Sequence, residues 1–185
     1  MIKTLYKKFQ HWSDGGSVYI ISDTHFDDKD CKYMDSDWIT PEEHIKNIKK
    51  HVRKNDALIH LGDVGNVDWM KQLECYKILI MGNHDTGMTK YENVFNEVYS
   101  GALFISDKIL LSHEPIHGEY WFNIHGHDHG HLLPPRGYNY VNLASNHTRW
   151  GVFNLGTEIK NGLLSKVSNI HRATIDRATE KKYGS

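Results

Sequence analysis

The sequence predicts a layered α/β protein, with helices packed outside a sheet core. Short apolar runs, each long enough for one strand, alternate along the chain with stretches of helical periodicity. Five of those runs stop at a turn rich in Asp, His, Asn and Gly. Loops beyond strand carboxyl ends are where layered α/β proteins gather ligand sites.

In chain order, Ile2, Leu5, Tyr6, Phe9 and Trp12 recur at helical spacing before Ser13-Asp14-Gly15-Gly16, so an amphipathic segment precedes the first strand. Its apolar face is expected to close an edge of the core. Val18–Ser22 reads as a strand, followed at once by Asp23-Thr24-His25. Residues 26–39 read as irregular and acidic. Thr40-Pro41-Glu42-Glu43 opens a helix, with Thr40 as cap, Pro41 in the first helical position and Glu43 closing a capping box. Ile45, Ile48 and Val52 are its expected buried stripe. Ala57–Leu61 is the second strand, running into Gly62-Asp63, and Asn66 is placed to cap a short helix.

Ile78–Met81 is too short for a helix and ends at Gly82, before Asn83-His84-Asp85. A helical stretch near Lys90–Phe95 leads to paired strands at Leu103–Ile105 and Ile109–Leu111, the second ending in Ser112-His113. Trp121–Ile124 is a strand ending in His125-Gly126-His127-Asp128-His129, and Tyr138–Leu143 is another. Thr157–Lys166 and Asn169–Lys182 read as helices. Residues 1–185 are expected to form one domain, with 1–16 as an N-terminal extension and 168–185 as a C-terminal helix and tail.

The bounds are consistent with this reading. A formal net charge of −1 provides no basic field to hold a long duplex nucleic acid. Two cysteines cannot build a disulfide framework, and no export signal or membrane-length apolar run occurs, so a cytoplasmic setting is expected. Both a monomer and a homodimer are compatible with the composition. Fourteen histidines are unusual for 185 residues, and imidazole is the commonest metal ligand.

The five strand ends carry Asp23 and His25, Asp63, Asn83 and His84, His113, and His127 and His129. Carboxylate, imidazole and amide without thiolate suit manganese first, with iron, zinc or nickel as alternatives. A two-metal cluster needs about four ligands per ion with one shared. Asp63, alone on its loop, is the natural bridge. Asp23, His25 and His129 would complete one sphere, and Asn83, His113 and His127 the other. Asp85 is placed to hold the tautomer of His84 and favour its cation.

Asp23-Thr24-His25, Gly62-Asp63, Gly82-Asn83-His84-Asp85, Ser112-His113 and Gly126-His127-Asp128-His129 together resemble the ordered motifs of the calcineurin-like metallophosphoesterases, in their compact single-domain bacterial and phage form. The resemblance spans residues 18–129. It implies a four-layer αββα sandwich of two stacked mixed sheets flanked by helices, and the ligand split just given. It also implies phosphoester hydrolysis by in-line attack of a hydroxide bridging two divalent cations, with His84 and Asp85 as the catalytic pair. General-acid help of that kind is worth about 10² to 10⁴ in rate.

Several polar residues read more plainly. His60 is expected to be a satisfied core histidine; His11, His44, His51 and His171 are expected on solvated faces. Arg136, Arg149 and His117 are candidates to touch substrate, because arginine can fork onto phosphate. Only thirteen residues separate His113 from His127, too few for a cap domain. An uncapped, near-neutral cleft favours a small phosphodiester or nucleotide, with no membrane partner. A nuclease on single strands or RNA ends, and a non-enzymatic scaffold, are the alternatives; retention of His84 and the whole ligand set argues against the scaffold.

Overall fold

The computed structural model describes residues 3–4, 6–118, 120–130 and 139–160. Its strands form two mixed five-stranded sheets flanked by helices. In the first, β2 (Val18–Ile21), β3 (Ala57–His60), β4 (Tyr76–Ile80) and β5 (Glu97–Tyr99) run parallel, and β10 (Phe153–Asn154) pairs antiparallel with β2. The second has the order β1 (Lys3–Thr4), β6 (Leu103–Phe104), β7 (Ile109–Leu111), β8 (Phe122–His125), β9 (Tyr140–Asn142). Only its β6–β7 pair is antiparallel.

The apolar runs are continuous because these strands are covered on both faces. Ala57, Ile59, Ile78 and Ile80 point into the core between the sheets, where they meet Ile109, Leu111, Phe122 and Ile124. Leu58 and Leu79 point the other way, against Ile45, Ile48, Met70 and Tyr91 of the helical layer. That layer holds α3 (Pro41–His51), a 3-10 turn over Val67–Gln72 and α4 (Met88–Glu92). The capping box of α3 forms: Thr40 Oγ1 accepts from the Glu43 amide at 3.3 Å, and the Glu43 carboxylate accepts from the Thr40 amide at 3.1 Å. Asn66 caps the 3-10 turn through the Asp68 amide. Helix α1 (Tyr6–Asp14) drives Trp12 into the inter-sheet core.

Three strands were not legible in the sequence: β1, β5 and β10 are two or three residues long, and none has more than two apolar residues. A short helix, α2 (Cys31–Met34), interrupts the segment expected to be irregular. His44 is a correction. It is 3 % exposed rather than solvated, because it lies four residues before Ile48 on the same helical stripe and packs edge-on against Phe26. The helices expected at Thr157–Lys166 and Asn169–Lys182 lie outside the described residues beyond α5 (Leu155–Lys160), as does His171.

The carboxyl ends of β2, β3 and β4 in one sheet and of β7 and β8 in the other meet at one rim. An isolated bridge between Ser22 and Ala144 ties the sheets together there. Among the described residues, no helix is long and apolar enough to cross a membrane.

Candidate metal centre

Four of the side chains at this rim sit on left-handed backbone: Asp23 (φ 54°), His25 (φ 41°), Asp63 (φ 56°) and His127 (φ 67°). For residues with a β-carbon that conformation costs on the order of 1 kcal/mol each, and it clusters where side chains must be aimed. At His127 the turn sends neighbouring imidazoles apart, His127 toward Asn83 and His129 toward Asp23. Two glycines let the backbone close on the carboxylates. A β-carbon on Gly82 would lie 2.2 Å from Asp63 Oδ1, and one on Gly126 would lie 2.1 Å from Asp23 Oδ2.

Two triplets result, Asp23–His25–His129 and Asp63–His113–His127, each with its ligand-type atoms within 4.8 Å of one another. Asp63 Oδ2 faces both, at 3.6 Å from His25 Nε2 and 3.3 Å from His113 Nε2. Asp23 Oδ1 lies 3.4 Å from His129 Nε2. Asn83 joins the second group: its Oδ1, His113 Nε2 and His127 Nδ1 form a triangle with sides of 2.8, 3.0 and 3.1 Å.

The outward nitrogens are anchored from behind. His25 Nδ1 lies 3.4 Å from the Asp28 carboxylate, His113 Nδ1 lies 2.8 Å from the Leu61 carbonyl, and His129 Nδ1 lies 3.3 Å from Asn146 Oδ1. Each ring is thereby held with Nε2 facing inward, the arrangement that supports metal-ligating histidine. Asp28 and Asn146 were missed as positioning residues. Asp28 lies only three residues from His25, and that spacing was the available signal. Asn146 arrives from a distant loop.

The donor set fits divalent cations. His25 Nε2 and His129 Nε2 are buried and make no hydrogen bond, although a buried polar atom left unpaired costs about 1–3 kcal/mol. Burial pushes the Asp63 carboxyl up, but the His113 hydrogen bond and charge outweigh it and bring its pKa down to about 2. Burial lowers the pKa of His113 and His129, yet Asp63 and Asp23 reverse the sign and leave both raised. The two buried carboxylates thus favour positive charge on the groups that face them, the task a cation pair would take over.

His84 is exposed beside the centre, its ring centroid 5.6 Å from that of His25, and its amide donates to Asp63 Oδ1 at 2.9 Å. Asp85 corrects the sequence expectation, because its carboxylate does not hold His84. Oδ1 accepts from the Val64 amide at 3.1 Å and the Tyr91 hydroxyl at 2.8 Å; Oδ2 accepts from the amides of Asp63 at 2.8 Å and Gly82 at 2.9 Å. It fixes the backbone of two motif loops instead.

His60 is the satisfied core residue expected, 3.0 Å from Thr24 Oγ1 and accepting from the Gly62 amide at 3.1 Å. Arg149 is exposed and turned to Asp35 at 3.8 Å. His117 is exposed, its ring 5.5 Å from Tyr140, outside both triplets. Arg136 and His131 lie outside the described residues. Trp38 is buried and walls the centre, with ring centroids 5.8 Å from His25 and 5.5 Å from His129.

No curated protein matches the chain. A protein of unknown function from Aquifex aeolicus, AQ665, superposes with a TM-score of 0.62 at 25 % identity, over 78 % of this chain and 98 % of that one. The nuclease MPE of Pseudomonas putida gives a TM-score of 0.43 at 21 % identity, over 60 % of each chain. The family model described as calcineurin-like phosphoesterase matches residues 16–165. The chain therefore belongs to the calcineurin-like phosphoesterase family, and it is a metal-dependent phosphoric ester hydrolase.

Proposed function

We propose that the chain is a dinuclear phosphodiesterase acting on small phosphodiesters or nucleotides, with manganese as its working metal. Asp23, His25 and His129 would hold one ion, Asn83, His113 and His127 the other, and Asp63 would serve both. The observation that carries the reading is the pair of buried, unbonded nitrogens, His25 Nε2 and His129 Nε2, aimed at carboxylates from separate loops. Bound there, two divalent cations supply a water acidified enough to attack phosphorus in line and offset the charge that develops on the phosphoryl oxygens.

The protein's own part is positioning and proton delivery. Asp28, the Leu61 carbonyl and Asn146 hold three rings in one orientation. Asp85 and Gly82 hold the Asp63 and Asn83 loops at fixed separation. His84, exposed at the rim, gives its proton to the departing alkoxide. The described rim offers no cluster of lysine or arginine to neutralise a terminal dianion, which supports a diester over a monoester. Cys31 and Cys75 are free and buried, and burial pushes their thiols up to about 12 and about 11, in keeping with a reducing cytoplasm. Residues of both sheets share one core cluster, in keeping with a single domain.

Hydrolysis of bis-p-nitrophenyl phosphate and p-nitrophenyl phosphate with manganese, repeated after chelation, tests the reading. Faster diester cleavage that chelation abolishes is expected. Activity indifferent to chelator would overturn the metal assignment, and monoester preference would overturn the diester assignment.

A further inference from the structure

A cavity of about 340 Å³ opens beside the centre, between the ends of β4 and β7 and the turn that joins β5 to β6. It is large enough to count as a small-molecule site, a class that spans about 300–1,000 Å³. Asn83 and His113 line it, so whatever fills it lies against the second of the two ligand groups. Ile80, Ala102 and Ile116 give it an apolar lining.

Among the described residues of that wall, Glu114 is the one acidic side chain, and there is neither lysine nor arginine. Its backbone is held by the preceding turn, where Ser112 Oγ donates to the Glu114 carbonyl at 2.6 Å. Glu114 is exposed. His84 does not line the cavity and lies toward His25. On the proposed role of His84, a leaving group that takes its proton there lies on the His25 side, which leaves the cavity for the part of the ester that stays on phosphorus.

We propose that this cavity is the subsite for the retained arm of the phosphodiester, and that Glu114 selects an uncharged, hydroxyl-bearing arm of nucleoside size over one carrying a further phosphate. The inference rests on the phosphodiesterase reading above. A carboxylate is an acceptor only, so it takes hydrogen bonds from hydroxyl or N–H groups and repels a second phosphate. The apolar residues of the lining suit the face of a base or sugar, and the exposed Glu114 suits its hydroxyls.

The test uses the manganese-loaded enzyme with two esters that release the same chromophore: the p-nitrophenyl ester of thymidine 5′-monophosphate, and the same ester bearing a 3′-phosphate. The wild type is expected to show kcat/KM at least about tenfold higher for the first, equivalent to ~1.4 kcal/mol. Glu114→Lys is expected to close or invert that ratio, and Glu114→Gln to narrow it. Equal rates in the wild type, or a ratio that neither variant moves, would overturn the proposal while leaving the phosphodiesterase reading intact. Cleavage of bis-p-nitrophenyl phosphate but of neither thymidine ester would overturn it as well. Calorimetric titration with thymidine 5′-monophosphate and thymidine 3′,5′-bisphosphate reads the cavity without turnover, so it decides the matter even if no ester is hydrolysed. Tighter binding of the monophosphate is expected, and the bisphosphate binding as tightly would contradict it.

Discussion

Two carboxylate clusters in this molecule, one half-buried and one buried, are built from similar parts and end differently. At the β5 edge, Glu97 Oε1 accepts from Trp12 Nε1 at 2.9 Å and from the Tyr76 hydroxyl at 3.1 Å. Its Oε2 accepts from Lys8 Nζ at 2.7 Å and from the Tyr99 hydroxyl. Both oxygens are saturated, and the cluster fastens α1 to the sheet. At the rim, Asp23 and Asp63 face imidazoles from other loops, and two inward nitrogens stay unbonded. A polar group that folding leaves unsatisfied is poised for something folding does not supply. His44 shows why the orphan atom alone is an insufficient sign. Its Nε2 is also buried and unbonded, but it is walled by Phe26, Trp38 and Trp150 and no carboxylate acts on it. Convergence of orphaned donors on shared carboxylates marks the centre.

The largest test of the contrast is Asp63→Ala. Removing the one oxygen shared by both groups is expected to lower kcat/KM by about 10³-fold or more while circular dichroism stays native. A variant within tenfold of wild type would remove Asp63 from the centre. His84→Ala is expected to keep its metal and lose about 10²-fold or more with an alkyl leaving group, and less with p-nitrophenolate. Equal losses on the two leaving groups would assign His84 to binding.

His44 provides the pH test. Burial holds its pKa near 4 in the folded chain, against 6.5 for the free group. The neutral ring therefore favours the fold above pH 6.5, and that contribution is lost as pH falls from there toward 4. The loss approaches about 3 kcal/mol. Urea midpoints measured across that range should slope less in His44→Phe than in the wild type; identical slopes would place the acid sensitivity elsewhere. Glu97→Ala, in the saturated cluster, is expected to cost about 2 kcal/mol of stability through the stranded Trp12 and Lys8 donors. Metal content and kcat should not move, and a change in either would break the distinction between the clusters. Asp28→Asn is the mildest change: a loss of about tenfold in metal affinity at the Asp23 group is expected. Unchanged affinity would make Asp28 a bystander.

The sequence made the rim legible because every motif stood directly after an apolar run, so strand parity and loop position followed from local pattern. The Thr40–Glu43 capping box and the role of His60 were legible for the same reason. What escaped was set by partners distant in sequence. Asp85 sits beside His84 in the chain, but its oxygens are taken by amides of Asp63 and Val64, more than twenty residues away. The edge strands β1, β5 and β10 are defined by the strands they join, through pairings such as Lys3 with Leu103, Ile78 with Glu97 and Phe153 with Ile20. The expected buried stripe of α3 held Ile45, Ile48 and Val52, and the polarity of His44 argued for solvent although it lies one turn before Ile48.

On the proposed reading, two cations would sit at one rim and share Asp63. Anomalous diffraction at the manganese edge from crystals grown with manganese tests it most directly. Two peaks are predicted, one among Asp23, His25 and His129 and one among Asn83, His113 and His127, with Asp63 Oδ2 touching both. A single peak, or none at these residues, would contradict it.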